Sequence, residues 1–124
     1  MLLAYGFLRR VVEICESYRA SIDMITTSEV GVSVSIDNTS NLDAIVNELK
    51  KFGHVQVDKD MCIICVVGDL DAQNVGFESK ATEALKEIPV RMISYGGSNH
   101  NISFLISAED KKKALQSLSD HLFN

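Results

Sequence analysis

The chain repeats itself, and that constrains its fold more than anything else in it. Gly6-Phe7 opens an amphipathic stretch that leads into Ile22-Asp23-Met24-Ile25-Thr26. Gly76-Phe77 opens another that leads into Val90-Arg91-Met92-Ile93-Ser94. Two copies make a duplication and not a solenoid, because stacked repeats need at least three units to bury a continuous core.

The elements follow from hydrophobic periodicity. Met1 to Ala4 reads as the tail of a strand. After Gly6, the residues Leu8, Val11, Val12, Cys15 and Tyr18 recur at helical spacing, opposite Arg9, Arg10, Glu13 and Glu16. Strands are predicted at Ile22–Thr27 and Val30–Ile36, the second with strict apolar–polar alternation. Asp37 to Ser40 is a turn with helix-capping side chains, followed by a helix from Asn41 to Phe52 that Gly53 ends. His54–Asp58 alternates like an edge strand.

The second copy restarts at Met61–Gly68, a continuous apolar run expected at the centre of its sheet. A polar loop, Asp69–Asn74, precedes a helix from Gly76 through Ala81, Ala84, Leu85 and Ile88, stopped by Pro89. Strands at Val90–Tyr95 and Asn101–Ser107 flank a Gly96-Gly97-Ser98-Asn99 hairpin loop. A last helix, Glu109–Phe123, carries Leu115, Leu118 and Leu122 in register. Each copy therefore predicts a βαββαβ sandwich, an α+β ferredoxin-like unit with helices on one face of an antiparallel sheet. The boundaries are 1–59 and 60–124. The first unit lacks most of its first strand and the second lacks its last. An uncovered sheet edge invites a second chain, so a dimer or a larger parent protein is expected.

Composition removes several classes. A formal charge of −5 over 124 residues argues against a nucleic-acid partner, since phosphate neutralisation needs clustered Lys and Arg. The Lys111-Lys112-Lys113 run, beside Glu109 and Asp110, reads as a solvated helix face. No apolar run approaches the ~18–20 residues that span a bilayer, and no signal peptide pattern follows Met1. Cys62 and Cys65 form a CxxC, but on a strand their thiols point to opposite faces, so buried, reduced, structural cysteines are expected. Cys15 is a core candidate. The odd cysteine count fits a cytoplasmic chain. His54, His100 and His121 have no metal-ligand spacing. Gly96-Gly97 lacks the strand–loop–helix order and the Lys-Ser/Thr of a phosphate cradle.

At Ile22–Val30 (IDMITTSEV) and Val90–Ile106 (VRMISYGGSNHNISFLI), together with MLLAYGFLRRV at the start, the chain resembles the C-terminal tandem ACT region of aspartokinases, in particular the lysine-sensitive type. The resemblance spans essentially the whole chain. It implies a regulatory region that binds an end-product amino acid, L-lysine or alternatively threonine, and mediates feedback inhibition of lysine biosynthesis. It implies an upstream kinase domain that uses ATP and Mg to phosphorylate aspartate. This chain has no counterpart of that domain, so no catalytic residue, metal ligand or cofactor site is assigned to it. The sequence departs from the pattern at Leu3 and Ala4, where some relatives carry His and Ser. The end at Asn124 favours a parent without a further fused enzyme.

A free amino acid presents a carboxylate, an ammonium and a side chain. The amides of Gly6, Phe7 and Leu8, at a helix start, suit the carboxylate. Asp23 suits an ammonium. Ile22 and Thr27 are expected to line the pocket. The resemblance adds Ser28, Glu29 and the Met1 carbonyl as acceptors for lysine's second ammonium. In the second copy Arg91 replaces Asp23, and a cation repels an ammonium, so that copy is expected to be structural or part of the dimer interface. A homodimer through the ACT units is expected, since effectors in this family bind where two units meet.

The competing expectation is a dimerisation scaffold whose effector site has decayed. A small ferredoxin-like phosphatase would need an arginine-bearing phosphate loop at a strand–helix turn, and the sequence has none.

Overall fold

In the computed structural model, both repeats open their first helix on a glycine in the left-handed region. Gly6 has φ +80° and Gly76 has φ +86°. A side chain at either position would meet no neighbouring atom. The requirement for glycine is therefore set by the backbone angle alone.

The structure describes residues 5–67, 76–96 and 101–122. The expected strand at Met1–Ala4, the loop at Asp69–Asn74, and most of the hairpin tip after Gly96 lie outside these residues. The chain divides into two units, Met1–Val57 and Asp58–Asn124.

In the first unit, α1 (Phe7–Ser17) leads into β1 (Ile22–Thr27), β2 (Val32–Ile36) and α2 (Leu42–Leu49). β1 and β2 pair antiparallel. Their register runs from Ile22↔Ile36 directly to Met24↔Ser35, which leaves Asp23 as the extra residue of a β-bulge. Cys15, Ala20 and Ile45 form the buried centre, with Ile14, Tyr18, Ile22, Ile36 and Leu49 packed around them. The inward stripe of α1 is narrower than its periodicity suggests: Val11 and Cys15 are buried, whereas Leu8 and Val12 are exposed. Arg10 lies over the Phe52 ring, 4.6 Å from its centroid.

α2 stops at Leu49, three residues early. Its last turn tightens, with Lys51 and Phe52 N–H groups donating to carbonyls three residues back. The turn before it is an Asx turn, in which the Ser40 N–H donates to Asn38 Oδ1. No side chain caps α2. Asn41 at that position instead donates its amide to the Tyr18 carbonyl at the end of α1.

The second unit contains β3 (Met61–Val67), α3 (Phe77–Ala84), β4 (Val90–Tyr95), β5 (Asn101–Ser107), a 3-10 turn at Ala108–Asp110, and α4 (Lys111–Leu122). The sheet order is β3-β5-β4, antiparallel throughout. Phe104, Ile102 and Ile106 of β5 are almost wholly buried. They pack with Ile64, Val66, Ala81, Ala84, Leu85, Ile88, Ala114 and Leu118 into one core. The Ser117 hydroxyl donates to the Ala84 carbonyl and ties α4 to the end of α3. β4 carries the same bulge as β1. Its register runs from Val90↔Ile106 to Met92↔Leu105, with Arg91 as the extra residue.

The α+β, ferredoxin-like architecture with antiparallel sheets stands; besides the narrower α1 stripe and the early ends of α2 and of α3, which stops at Ala84 short of Ile88, three details differ from expectation. Among the described residues β5 and not β3 is central, because Asn101–Ser107 pairs with both β3 and β4; the apolar run at Met61 has one face away from the helices, where Ile63 and Val67 are exposed. His54–Asp58 forms no strand. Only Val55 there is half-buried, and the stretch lacks a ladder partner among the described residues. In α4 the inward stripe is Ala114, Leu118 and Leu122, and Leu115 is exposed.

Candidate functional site

The site candidates sit on a helix start and on the strand that follows the helix. α1 begins without a side-chain cap. Glycine fills the capping position, and it has no side-chain oxygen to offer. The Arg10 N–H is the first to reach back, donating to the Gly6 carbonyl at 3.2 Å. The amides of Phe7 and Leu8 therefore precede the first intrahelical bond, on the positive end of the helix. Phe7 is half-buried and Leu8 is 42% exposed.

On β1, Ile22 is half-buried against the first core, and Asp23 follows it, exposed, at the bulge. The Asp23 carboxylate makes no hydrogen bond or ion pair among the described residues. Thr27 closes the strand, and Ser28 and Glu29 form the exposed corner beyond it. The Ser28 N–H donates to the Gly31 carbonyl at 2.9 Å, and Ser28 Oγ accepts from the Val30 N–H at 3.3 Å. The Ser28 hydroxyl thus holds the turn as an acceptor and keeps its proton for another partner. Met1 lies outside the described residues.

These residues fall into two groups. Thr27, Ser28 and Glu29 share one end of β1, and Ile22 and Asp23 share the other. Ile22 packs against the cluster of Cys15, Ala20 and Ile45, and Cys15 lies near the end of α1. The Gly6–Leu8 amides lie a full helix length away from that end, about 16 Å along the axis. A single amino acid cannot bridge the Asp23 carboxylate and the helix start within one protomer.

The second copy has the same helix start, since α3 also lacks a side-chain cap and begins on a left-handed glycine. Its bulge differs in charge. Arg91 Nε donates to Asp58 Oδ2 at 2.9 Å, and both side chains are partly exposed. Sequence reasoning missed Asp58. It lies 33 residues from Arg91, in a segment whose alternation pointed to a strand, so no local signal links the two.

The cysteines divide by position. Cys15 is buried, and burial pushes its thiol pKa up. Cys62 is half-buried against the second core. Cys65 is exposed, a correction to the buried expectation, and its sulfur accepts from the Ser103 hydroxyl at 3.4 Å. The two CxxC thiols do face opposite sides, because the strand alternates. A thiol-specific reagent is expected to modify Cys65 quickly in the folded protein and Cys15 only after unfolding. Mass mapping of labelled peptides checks this. Among the described residues no group of His, Cys, Asp and Glu could hold a metal ion, and no helix is long and apolar enough to cross a membrane.

Two tandem α+β units, each with a glycine-opened helix followed by a bulged strand, define a regulatory module of the ACT type. The ACT domain family model matches residues 64–122. A solved structure assigned as a C-terminal regulatory domain of aspartate kinase from Porphyromonas gingivalis W83 is 58% identical, with a TM-score of 0.88, over 99% of this chain and 84% of that one. This chain belongs to the family of aspartokinase regulatory domains. Lysine-sensitive aspartokinase 3 of Escherichia coli (strain K12) is 31% identical over 131 residues, covering 99% of this chain and 29% of its own length. The E. coli aspartokinase III structure in complex with lysine and aspartate (T-state) superposes with a TM-score of 0.82 at 35% identity, over all of this chain and 29% of that one. The chain thus spans less than a third of the curated aspartokinases that it matches.

Proposed function

We propose that this chain senses L-lysine and relays its binding to an aspartokinase catalytic domain in the same polypeptide. The observation that carries the reading is the charge at the two bulges. The first presents a carboxylate with no partner among the described residues, and the second presents a guanidinium that already has a carboxylate partner. An ammonium-bearing effector is favoured at the first, whereas at the second the carboxylate is already engaged by Arg91. The likeness to an aspartokinase whose lysine complex has been solved supports lysine over threonine.

The carboxylate of the effector sits on the Phe7 and Leu8 amides at the glycine-opened end of α1. Ser28, Glu29 and the Met1 carbonyl take the side-chain ammonium, and Asp23 takes the α-ammonium. Because Asp23 lies at the far end of β1 from that helix start, a second copy of the first unit supplies it, with the two copies antiparallel about a two-fold axis. Ligand binding and homodimer formation are thereby linked. The second unit is structural.

Micromolar affinity, about −8 kcal/mol, is within reach of a ligand of roughly ten heavy atoms. Inhibition then needs a coupling of only about 1–3 kcal/mol to a kinase state. The kinase domain, with ATP and Mg, performs the phosphoryl transfer to aspartate in the cytoplasm, and this chain is catalytically silent.

Calorimetric titration with lysine, then threonine, tests the reading. Lysine is expected to give a saturable heat and a rise in melting temperature, and sedimentation is expected to show more dimer with lysine present. No heat and no melting shift at millimolar lysine would mean that the chain is a scaffold indifferent to amino acids.

A further inference from the structure

The segment that leads into the second unit, residues 58–60, touches β4 before it enters β3. Asp58 reaches β4, where its carboxylate accepts from Arg91 Nε at 2.9 Å. Asp60, in the left-handed region at φ 57°, accepts the Ala108 N–H at 2.7 Å with its carbonyl, the outermost ladder bond beside the Met61↔Ser107 pair. Met61 then begins β3 opposite Ser107. In the order β3-β5-β4, the segment therefore links the two strands on either side of β5, holding the Arg91 side chain of β4 through Asp58 and entering β3 three residues later. A non-glycine residue held at positive φ is unfavourable on its own and persists when its surroundings hold it. Here the Ala108 bond lies on one side of Asp60 and the Asp58–Arg91 pair on the other.

The geometry points to residues 58–60 as a strap over this end of the sheet. Asp58 positions Arg91, and movement of the preceding chain reaches β4 as well as β3. The bulge that carries the exposed carboxylate Asp23 in the first unit is here used as an anchor. Without the strap the chain would join the second unit through β3 alone, at one edge of the sheet. The relay part of the inference rests on the lysine-sensing reading. The strap itself does not.

The test is amide hydrogen exchange, followed by NMR on the whole chain, at Ala108 and at Phe104 in the centre of β5. Asp58→Asn and Arg91→Ala are each expected to speed Ala108 exchange by about two- to fivefold. The double variant is expected to go no further than either single one. Phe104 exchange is expected to stay unchanged, and high salt to bring wild type to the level of the variants. Unchanged Ala108 exchange in both single variants, additive effects in the double, or equal acceleration at Phe104 would overturn the strap. For the relay, saturating lysine is expected to shift the Arg91 Nε–H signal in wild type. Calorimetric binding of lysine with that signal unmoved would overturn the relay. Absent lysine binding would overturn the sensing reading instead, leaving the strap to be decided by the ligand-free exchange.

Discussion

Asp23→Ala is expected to weaken lysine binding by about 10- to 150-fold, the loss of one hydrogen bond between charged groups, worth about 1.5–3 kcal/mol. Stability is expected to change by no more than about 0.5 kcal/mol. The side chain is exposed on a bulge and holds no partner among the described residues, so its removal leaves no buried group unsatisfied. Arg91→Ala is the matched control, because it occupies the same bulge position in the second copy. It is expected to leave lysine affinity unchanged. Asp23→Asn separates charge from shape and should lose most of what alanine loses. Calorimetry on the three variants, with a urea melt for each, checks the set. Equal losses from Asp23→Ala and Arg91→Ala would show that the two copies do not differ in the way their charges suggest.

Phe104→Ala is expected to have the largest effect on stability, a loss of about 3–5 kcal/mol. Phe104 is fully buried at the middle of the central strand, with Ile64 of β3 and Ile93 of β4 as its register partners. Deleting its ring leaves a cavity between the sheet and the two helices, and small domains are held by only about 5–15 kcal/mol. The second unit should therefore melt far earlier, read from its own amide signals in a urea series. Val67→Ser on the exposed side of β3 should change stability by less than about 0.5 kcal/mol. A Phe104→Ala loss below about 1 kcal/mol would mean that this ring is not central to the packing.

Much of the fold can be read directly from the residues. β1, β4 and β5 have the predicted bounds, and the two helix starts fall at the predicted glycines. Local patterns carry these elements: an alternation of two, a helical stripe, and a glycine where the backbone angle is left-handed. Errors arose where an assignment depended on a neighbour. His54–Asp58 alternates but has no partner strand, and the apolar run at Met61 lies at the side of the described sheet because Asn101–Ser107 takes the middle.

The candidate site divides in the same way. Its residue types, and the exchange of Asp23 for Arg91, were visible in the duplicated sequence, since charge at a matched position needs no coordinates. The sequence could not show that both residues are bulges, that Asp58 neutralises Arg91, or that Asp23 and the α1 amides lie at opposite ends of their unit. Bulges depend on two strands held in one register. An ion pair across 33 residues and the separation of two ends of a helix depend on how the chain returns on itself. By itself the sequence determined which elements form and which charges they carry, because those follow from neighbours along the chain. Which of these charges meet was decided only by the tertiary structure, because proximity in space is set by packing.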